Sequence, residues 1–234
     1  MTYTLPTTED KSNYVEEKFD EIAQKYDRFN DVITFGMHRY WKKFVVRQTG
    51  LRPDEECLDL CCGTGDISRE ILRQHPECKI TGLDFSAEML KIAKSKNSVN
   101  SEIQYLQGDA MNIPFPDKFF DAVTMGYGLR NVSKINICLE EIIRVLKPGG
   151  WGILQVPLWS DLTFEDPKVS PEEYELVYGH PQHVRRYGRD YLGRLESVGF
   201  KVELDKYATS LTNDFVKKYG ILKSEDIYLC KKSK

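Results

Sequence analysis

The stretch Leu58-Asp59-Leu60-Cys61-Cys62-Gly63-Thr64-Gly65-Asp66 limits what this chain can fold into more than any other. An apolar run from Cys57 to Leu60 leads into two glycines, and a helix-like run from Asp66 to Gln74 follows at once. That order predicts a strand, a tight turn and a helix N-terminus. Glycine reaches positive φ without a side-chain clash and lets a ligand approach the backbone. The first helical turn presents unpaired N–H groups and the positive end of the helix dipole, which suits an anionic or polar ligand group. Asp59 is expected inside this turn. A carboxylate there repels a diphosphate and suits a ligand carrying positive charge.

The rest of the chain supplies a regular alternation. Strands are expected at Lys79–Leu83, Ile103–Gln107, Asp121–Met125 and Trp151–Val156. Helices are expected after Ser86, a good N-cap, and through Leu139, Ile142, Ile143 and Leu146, ending at Lys147-Pro148-Gly149-Gly150. Such a rhythm makes a parallel sheet covered by helices on both faces. After Pro157 it breaks: Leu158 to Pro181 reads as irregular, with at most a short helix from Pro171 to Tyr178. A helix through Leu192, Leu195 and Val198 follows, then strands at Phe200–Tyr207 and Asp226–Lys231 as a hairpin-like edge.

Two amphipathic helices precede the first strand. Val15, Phe19, Ile22, Tyr26 and Phe29 repeat at helical spacing, and a second helix surrounds Trp41, Phe44 and Val45. They read either as a lid or side wall, or as plain core. The expected class is α/β, a doubly wound, mostly parallel seven-stranded sheet with an N-terminal helical lid. The lid takes residues 1–48 and the sheet domain 49–234, with 157–188 as a substrate-side insertion.

Composition removes several function classes. The formal net charge is −3, so no global field draws nucleic acid. No apolar run reaches the roughly 18 residues that span a bilayer. Residues 1–13 are polar and acidic, unlike a secretory leader. The six cysteines form no C-x-x-C pair and read as free thiols in a reducing, cytoplasmic compartment, with no metal site. Cys62, beside the glycines, is either a reactive thiol or packing for the loop.

In an open parallel sheet, ligands bind beyond the carboxyl ends of the strands. Asp84 then faces both hydroxyls of a ribose, Phe85 and Met111 sandwich an adenine, and Asp109 accepts from its exocyclic amine. Gly63-x-Gly65-x-x-Ser68, with Asp84 about 20 residues on, approaches the dinucleotide pattern, but the third glycine is missing and Asp59 is out of place for a diphosphate. The sulfonium and amino groups of S-adenosylmethionine fit a carboxylate better.

Asp59 through Asp66, Asp84 and the Lys147–Gly150 turn together resemble the class I S-adenosylmethionine-dependent methyltransferases, whose sheet is Rossmann-like. A narrower resemblance lies in Tyr26-Asp27 with Asn30-Asp31, Phe35-Gly36-Met37-His38-Arg39-Tyr40-Trp41-Lys42, Pro114-Phe115-Pro116-Asp117 and Tyr127-Gly128-Leu129-Arg130-Asn131-Val132. These are similar to the ubiquinone/menaquinone biosynthesis C-methyltransferases over about residues 14–156, while the carboxyl third departs. The resemblance implies cofactor contacts at Thr64, Asp84, Asp109 and Ala110, with Gly126 nearby. It implies a prenylated quinol as small-molecule substrate, methylated at a ring carbon. Arg130 and Asn131 would help remove the ring proton, unless Arg130 is a structural ion-pair partner.

The full expected cofactor set is Asp59, Cys62, Gly63, Thr64, Gly65, Asp84, Phe85, Asp109, Ala110, Met111 and Gly126. His180, His183, Arg185 and Arg186 read mainly as a surface cluster, the alternative being that they bind an acidic substrate or serve as a base, with His183 the candidate base. No nucleic acid, at most peripheral membrane contact, and a homodimer complete the expected partners. The competing readings are an O-, N- or S-methyltransferase, an NAD oxidoreductase and a non-catalytic partner subunit.

Overall fold

The computed structural model describes residues 50–97, 103–166, 168–170, 173–179, 185–219 and 226–234, with Ala23, Asp27, Arg39, Lys42, Lys43, Val46 and Arg47. The first strand, β1 (Glu56–Leu60), is buried on both faces, as an internal parallel strand should be. Leu58 and Leu60 point into one apolar layer, and Cys57 into the other. Asp59 shares the Cys57 face by the two-residue period of a strand. It lies within β1, not in the turn, which corrects the sequence expectation.

Helix α1 (Asp66–Gln74) follows the turn, then β2 (Lys79–Asp84), α2 (Ala87–Ser95) and β3 (Ile103–Gln107). Ser86 caps α2 as expected, its hydroxyl accepting from the Met89 N–H. Strand β4 (Phe120–Gly126), α3 (Ile135–Val145) and β5 (Leu146–Gln155) complete the central alternation. With β8 (Phe200–Asp205) and β9 (Ile227–Lys232), the seven strands of the main sheet lie in the order β3-β2-β1-β4-β5-β9-β8, parallel through β5. Strand order reverses between β1 and β4, the place where a crevice opens at the carboxyl ends.

Strand β5 starts earlier than expected. Leu146 already pairs with Phe120, and pairing resumes at Trp151 opposite Ala122. The Pro-Gly-Gly turn is therefore looped out as a bulge, with Gly149 at φ 78°, and Lys147 reaches Asp121 at 2.7 Å.

The segment expected to be irregular contains a small parallel pair. Strand β6 (Leu158–Ser160) lies beside β7 (Tyr187–Gly188), and Phe164 bridges to Arg186. Gly188 permits this, because a Cβ there would run into the Leu162 backbone. The pair closes the ends of the 158–188 stretch, which carries the short helix α4 (Tyr174–Tyr178).

Helix α5 (Tyr191–Ser197) leads to β8 (Phe200–Asp205). Two short helices, α6 (Tyr207–Ser210) and α7 (Asn213–Tyr219), follow where an extended Tyr207 was expected. Strand β9 (Ile227–Lys232) then runs antiparallel between β5 and β8. The expected α/β class and its mostly parallel seven-stranded sheet are thus observed. Of the expected lid, Ala23, Asp27, Arg39, Lys42, Lys43, Val46 and Arg47 are helical, and the rest of 1–48 lies outside the described residues.

Gly82, in mid-β2, is kept small by Tyr105 on β3: a Cβ would meet its ring carbons at 2.6 and 2.7 Å. Gly82→Ala should destabilise the chain by about 1–3 kcal/mol in urea denaturation. The cost should shrink by at least about 0.5 kcal/mol when Tyr105 is also Ala. Equal costs in both backgrounds would clear the ring of blame.

Candidate functional site

The turn after β1 holds three left-handed residues: Cys61 (φ 55°), Gly63 (φ 54°) and Gly65 (φ 75°). Gly65 is the N-cap of α1 and supplies no side-chain cap. A Cβ on it would strike the Tyr105 hydroxyl, so only glycine fits. The turn is tied to β2, with Cys62 N donating to Leu83 O at 3.1 Å and Gly63 N to Asp84 Oδ2 at 2.7 Å.

Asp84 ends β2 as expected, and each of its carboxylate oxygens takes a backbone N–H. Besides Gly63, Ser86 N donates to Oδ1 at 3.0 Å. The carboxylate thus shapes two loops while standing at the crevice. Asp109, after β3, is exposed and accepts from the Met111 N–H at 2.8 Å. Ala110 is buried, and Phe85 and Met111 are half-buried. Gln107 Nε2 donates to Phe85 O at 2.9 Å, and Ser133 Oγ lies 3.3 Å from Met111 Sδ. These bonds brace the loops after β2, β3 and β4 against one another.

Gly126 ends β4, where a Cβ would meet Ile67 of α1 at 2.8 Å. Tyr127 follows at φ 60°, opening a 3₁₀ turn over Gly128–Arg130. The Arg130 guanidinium lies 5.6 Å from the Tyr127 ring centroid. Asn131 Oδ1 is buried and takes no hydrogen bond from the described residues. So Asp84 and Gly126 lie at the carboxyl ends of β2 and β4, and Cys62, Gly63, Thr64, Gly65, Phe85, Asp109, Ala110, Met111, Arg130 and Asn131 in the segments that follow β1 to β4. His183 and His180 lie outside the described residues.

Asp59 does not meet the crevice. It is fully buried, with Ser68 Oγ donating to Oδ2 at 2.6 Å and Thr124 Oγ1 to Oδ1 at 3.0 Å. Thr124 is its register partner on β4, and Ser68 belongs to α1. Burial pushes the Asp59 carboxyl up to about 6, against the opposing effect of those two hydroxyls. Burial, with the charge of Asp84 or Asp59 adding to it, also raises the Cys61 and Cys62 thiols well above their usual value. That favours packing over reactivity for Cys62.

Arg185 is not a surface residue. Its side chain is wholly buried, pairs with Glu165 at 2.9 Å, and donates to the carbonyls of Leu129, Val132 and Ser133. Tyr187, two residues on, donates to Leu129 O as well. Both hold the Leu129–Ser133 turn from below. In the extended stretch leading into β7, Arg185 and Tyr187 lie on one side and Arg186 on the other. Arg186 instead stacks over Trp159.

Asp27 was also missed as a site residue. Its carboxylate accepts from Thr64 Oγ1 at 2.7 Å and pairs with Lys96. Lys42 reaches Asp66 at 2.8 Å. Sequence alone marked Asp27 and Lys42 only as parts of motifs.

Residues 7–174 match the model of the ubiE/COQ5 methyltransferase family. The chain belongs to the ubiE/COQ5 methyltransferase family. The match runs past residue 156 and takes in β6, so the departure of the carboxyl third begins later than the sequence reading placed it.

Demethylmenaquinone methyltransferases of Staphylococcus aureus strains JH9 and Newman are 44% identical over 137 residues, 58% of this chain. The aligned region covers 57% of those curated relatives' length. Among solved structures, a Haloferax volcanii protein bound to the Trm112 methyltransferase activator superposes with a TM-score of 0.70 at 21% identity, covering 92% of this chain and 98% of that one. An S-adenosylmethionine-dependent methyltransferase from Mesorhizobium loti gives 0.59 at 18% identity, covering 80% and 94%. The [4+2]-cyclase SpnF gives 0.59 at 22%, covering 83% and 81%. At these identities the likeness is one of fold, and SpnF shows that the fold alone does not fix the chemistry.

Asp59 yields a pH signature. A carboxyl raised in the folded state contributes stability that is fully present below its unfolded value and is lost as pH rises through the folded one. Between about pH 4 and 6, Asp59→Asn should therefore gain thermal stability relative to the parent chain as pH rises. A difference in Tm that stays flat across this range would show an unperturbed carboxyl.

Proposed function

We propose that the chain transfers the methyl group of S-adenosylmethionine to a ring carbon of a small quinol or naphthol, as the name of its Staphylococcus relatives suggests. In this reading the crevice takes the cofactor. Asp84 receives the ribose hydroxyls. Phe85, Ala110 and Met111 flank the adenine, and Asp109 accepts from its amine. Cys62, Gly63, Thr64, Gly65 and Gly126 let the methionine end lie against the backbone. Asp59 supports the loop from beneath without touching the ligand.

Methyl transfer from a sulfonium is an in-line displacement with a neutral leaving group, so alignment does most of the work. Positioning of this kind removes about 7–11 kcal/mol of barrier in favourable cases. A carbon acceptor needs two further things, a hydroxyl made electron-rich and a ring proton removed afterwards. The observation that carries the reading is the Leu129-Arg130-Asn131 turn beside Gly126. Asn131 offers a buried carbonyl oxygen to a substrate hydroxyl, Arg130 supplies positive charge for the developing phenolate, and Arg185 keeps the turn rigid. His183 is the proposed base, a role worth about 10²–10⁴ in rate. In the same reading residues 1–48 cover the cofactor and 157–188 shape the acceptor pocket.

Calorimetry with S-adenosylhomocysteine and with NADH tests the cofactor half; binding of NADH alone would refute it. A mass-shift screen of demethylated quinols against soluble phenols tests the acceptor half. Gain of one methyl on a heteroatom of a phenol, with none on any quinol, would replace this reading with that of an O-methyltransferase. Asp84→Ala should weaken S-adenosylhomocysteine by about 10- to 100-fold, the loss of charge-assisted bonds. It should also lower stability by about 1–3 kcal/mol, because Gly63 and Ser86 lose their acceptor.

A further inference from the structure

The glycine turn is held from a second direction, by charges that belong to neither β1 nor β2. Thr64 is buried inside the turn, and its hydroxyl donates to Asp27 Oδ1 at 2.7 Å. Asp27 sits in the N-terminal helical segment, outside the sheet. Its other oxygen accepts from Lys96, the C-cap residue of α2, whose ammonium also lies 3.5 Å from Asp66 Oδ1. Asp66, first residue of α1, takes Lys42 at 2.8 Å and Arg69 as well. Arg69 closes the circuit by donating to the Thr64 carbonyl at 2.8 Å.

Each of the five charged side chains is less than one-third exposed. The set is therefore a network in a sheltered place, unlike an isolated surface pair of negligible worth. Burial disfavours the Asp66 charge, yet Lys42, Lys96 and Arg69 hold its carboxyl well below the usual carboxylate range. Thr64 is gripped at both ends, its hydroxyl by Asp27 and its carbonyl by Arg69. Asp27 from the N-terminal segment and Arg69 from α1 meet on this one threonine, and Lys96 at the end of α2 joins Asp27 to Asp66.

We propose that Asp27 is a positioning residue for the cofactor loop, acting through Thr64, and that the Asp27–Lys96–Asp66–Lys42–Arg69 network is an ionic clamp that holds this loop in place. This rests on the reading of the glycine turn as the cofactor loop. Asp27 touches no reacting atom. It fixes Thr64, and through it the backbone against which the methionine end of the cofactor lies.

The test measures S-adenosylhomocysteine binding by calorimetry to the full chain and to the variants Asp27→Ala, Lys96→Met, Thr64→Val and Asp27→Ala/Thr64→Val. Apo Tm values are taken in parallel. Asp27→Ala should weaken binding about tenfold, or about 1.4 kcal/mol. The double variant should bind no worse than Asp27→Ala alone, since the two residues act as one unit. Lys96→Met, on the far side of the clamp, should give a smaller loss and a weaker salt dependence of binding than the parent chain.

A purely structural Asp27 would lower the apo Tm while its effect on binding simply added to that of Thr64→Val. That result, or unchanged affinity in both Asp27→Ala and Lys96→Met, overturns the proposal. If the parent chain itself fails to bind S-adenosylhomocysteine, the cofactor-loop reading fails first and the clamp falls with it.

Discussion

One carboxylate, sealed from water, joins the three elements that make the crevice. Asp59 on β1 takes Ser68 from α1 and Thr124 from β4. A charge in a dry core is costly unless hydrogen-bonded, and here each oxygen has a hydroxyl. The gain is geometric. The start of α1 is fixed relative to the seam between β1 and β4, so the turn above that seam has little freedom left. The glycines can then take left-handed conformations that would otherwise be a source of looseness.

The same economy is repeated in the loops around the crevice. Asp84 spans the turn after β1 and the cap of α2. Gln107 and Ser133 link the loops after β2, β3 and β4, and Arg185 with Tyr187 underpins the turn that follows β4. The proposed displacement at a sulfonium asks for reactants held in line, with little bond-making by the protein. A set of loops braced by short polar bonds suits that demand, because each loop is costly to move alone.

Much of this was legible from residue order. The alternation of apolar runs with amphipathic helices predicted β1 to β5, and turn glycines marked where the chain must bend sharply. What escaped has physical reasons. Asp59 looked like a turn residue because a carboxylate inside a doubly buried strand is rare, and only the approach of Ser68 and Thr124 makes it tolerable. Arg185 looked exposed because long cationic side chains usually are; its acceptors are carbonyls more than fifty positions away. The β6·β7 pair was hidden because strands of two or three residues carry almost no periodic signal. Asp27 was visible as part of a motif, but nothing in its own neighbourhood of the chain foretold Thr64 or Lys96.

The placement of β9 has a consequence for how such a chain is made. β9 is the element that joins β8 to the rest of the sheet, and it covers the otherwise open flank of β5. Lys232 adds a fastening by donating to the carbonyls of Ile143 and Leu146 where α3 passes into β5. On the ribosome, β5 must wait through more than seventy further residues before its neighbour emerges. Until then a nascent molecule shows the cell an unpaired, largely apolar ribbon, the kind of surface that chaperones recognise and that clumps when they are scarce.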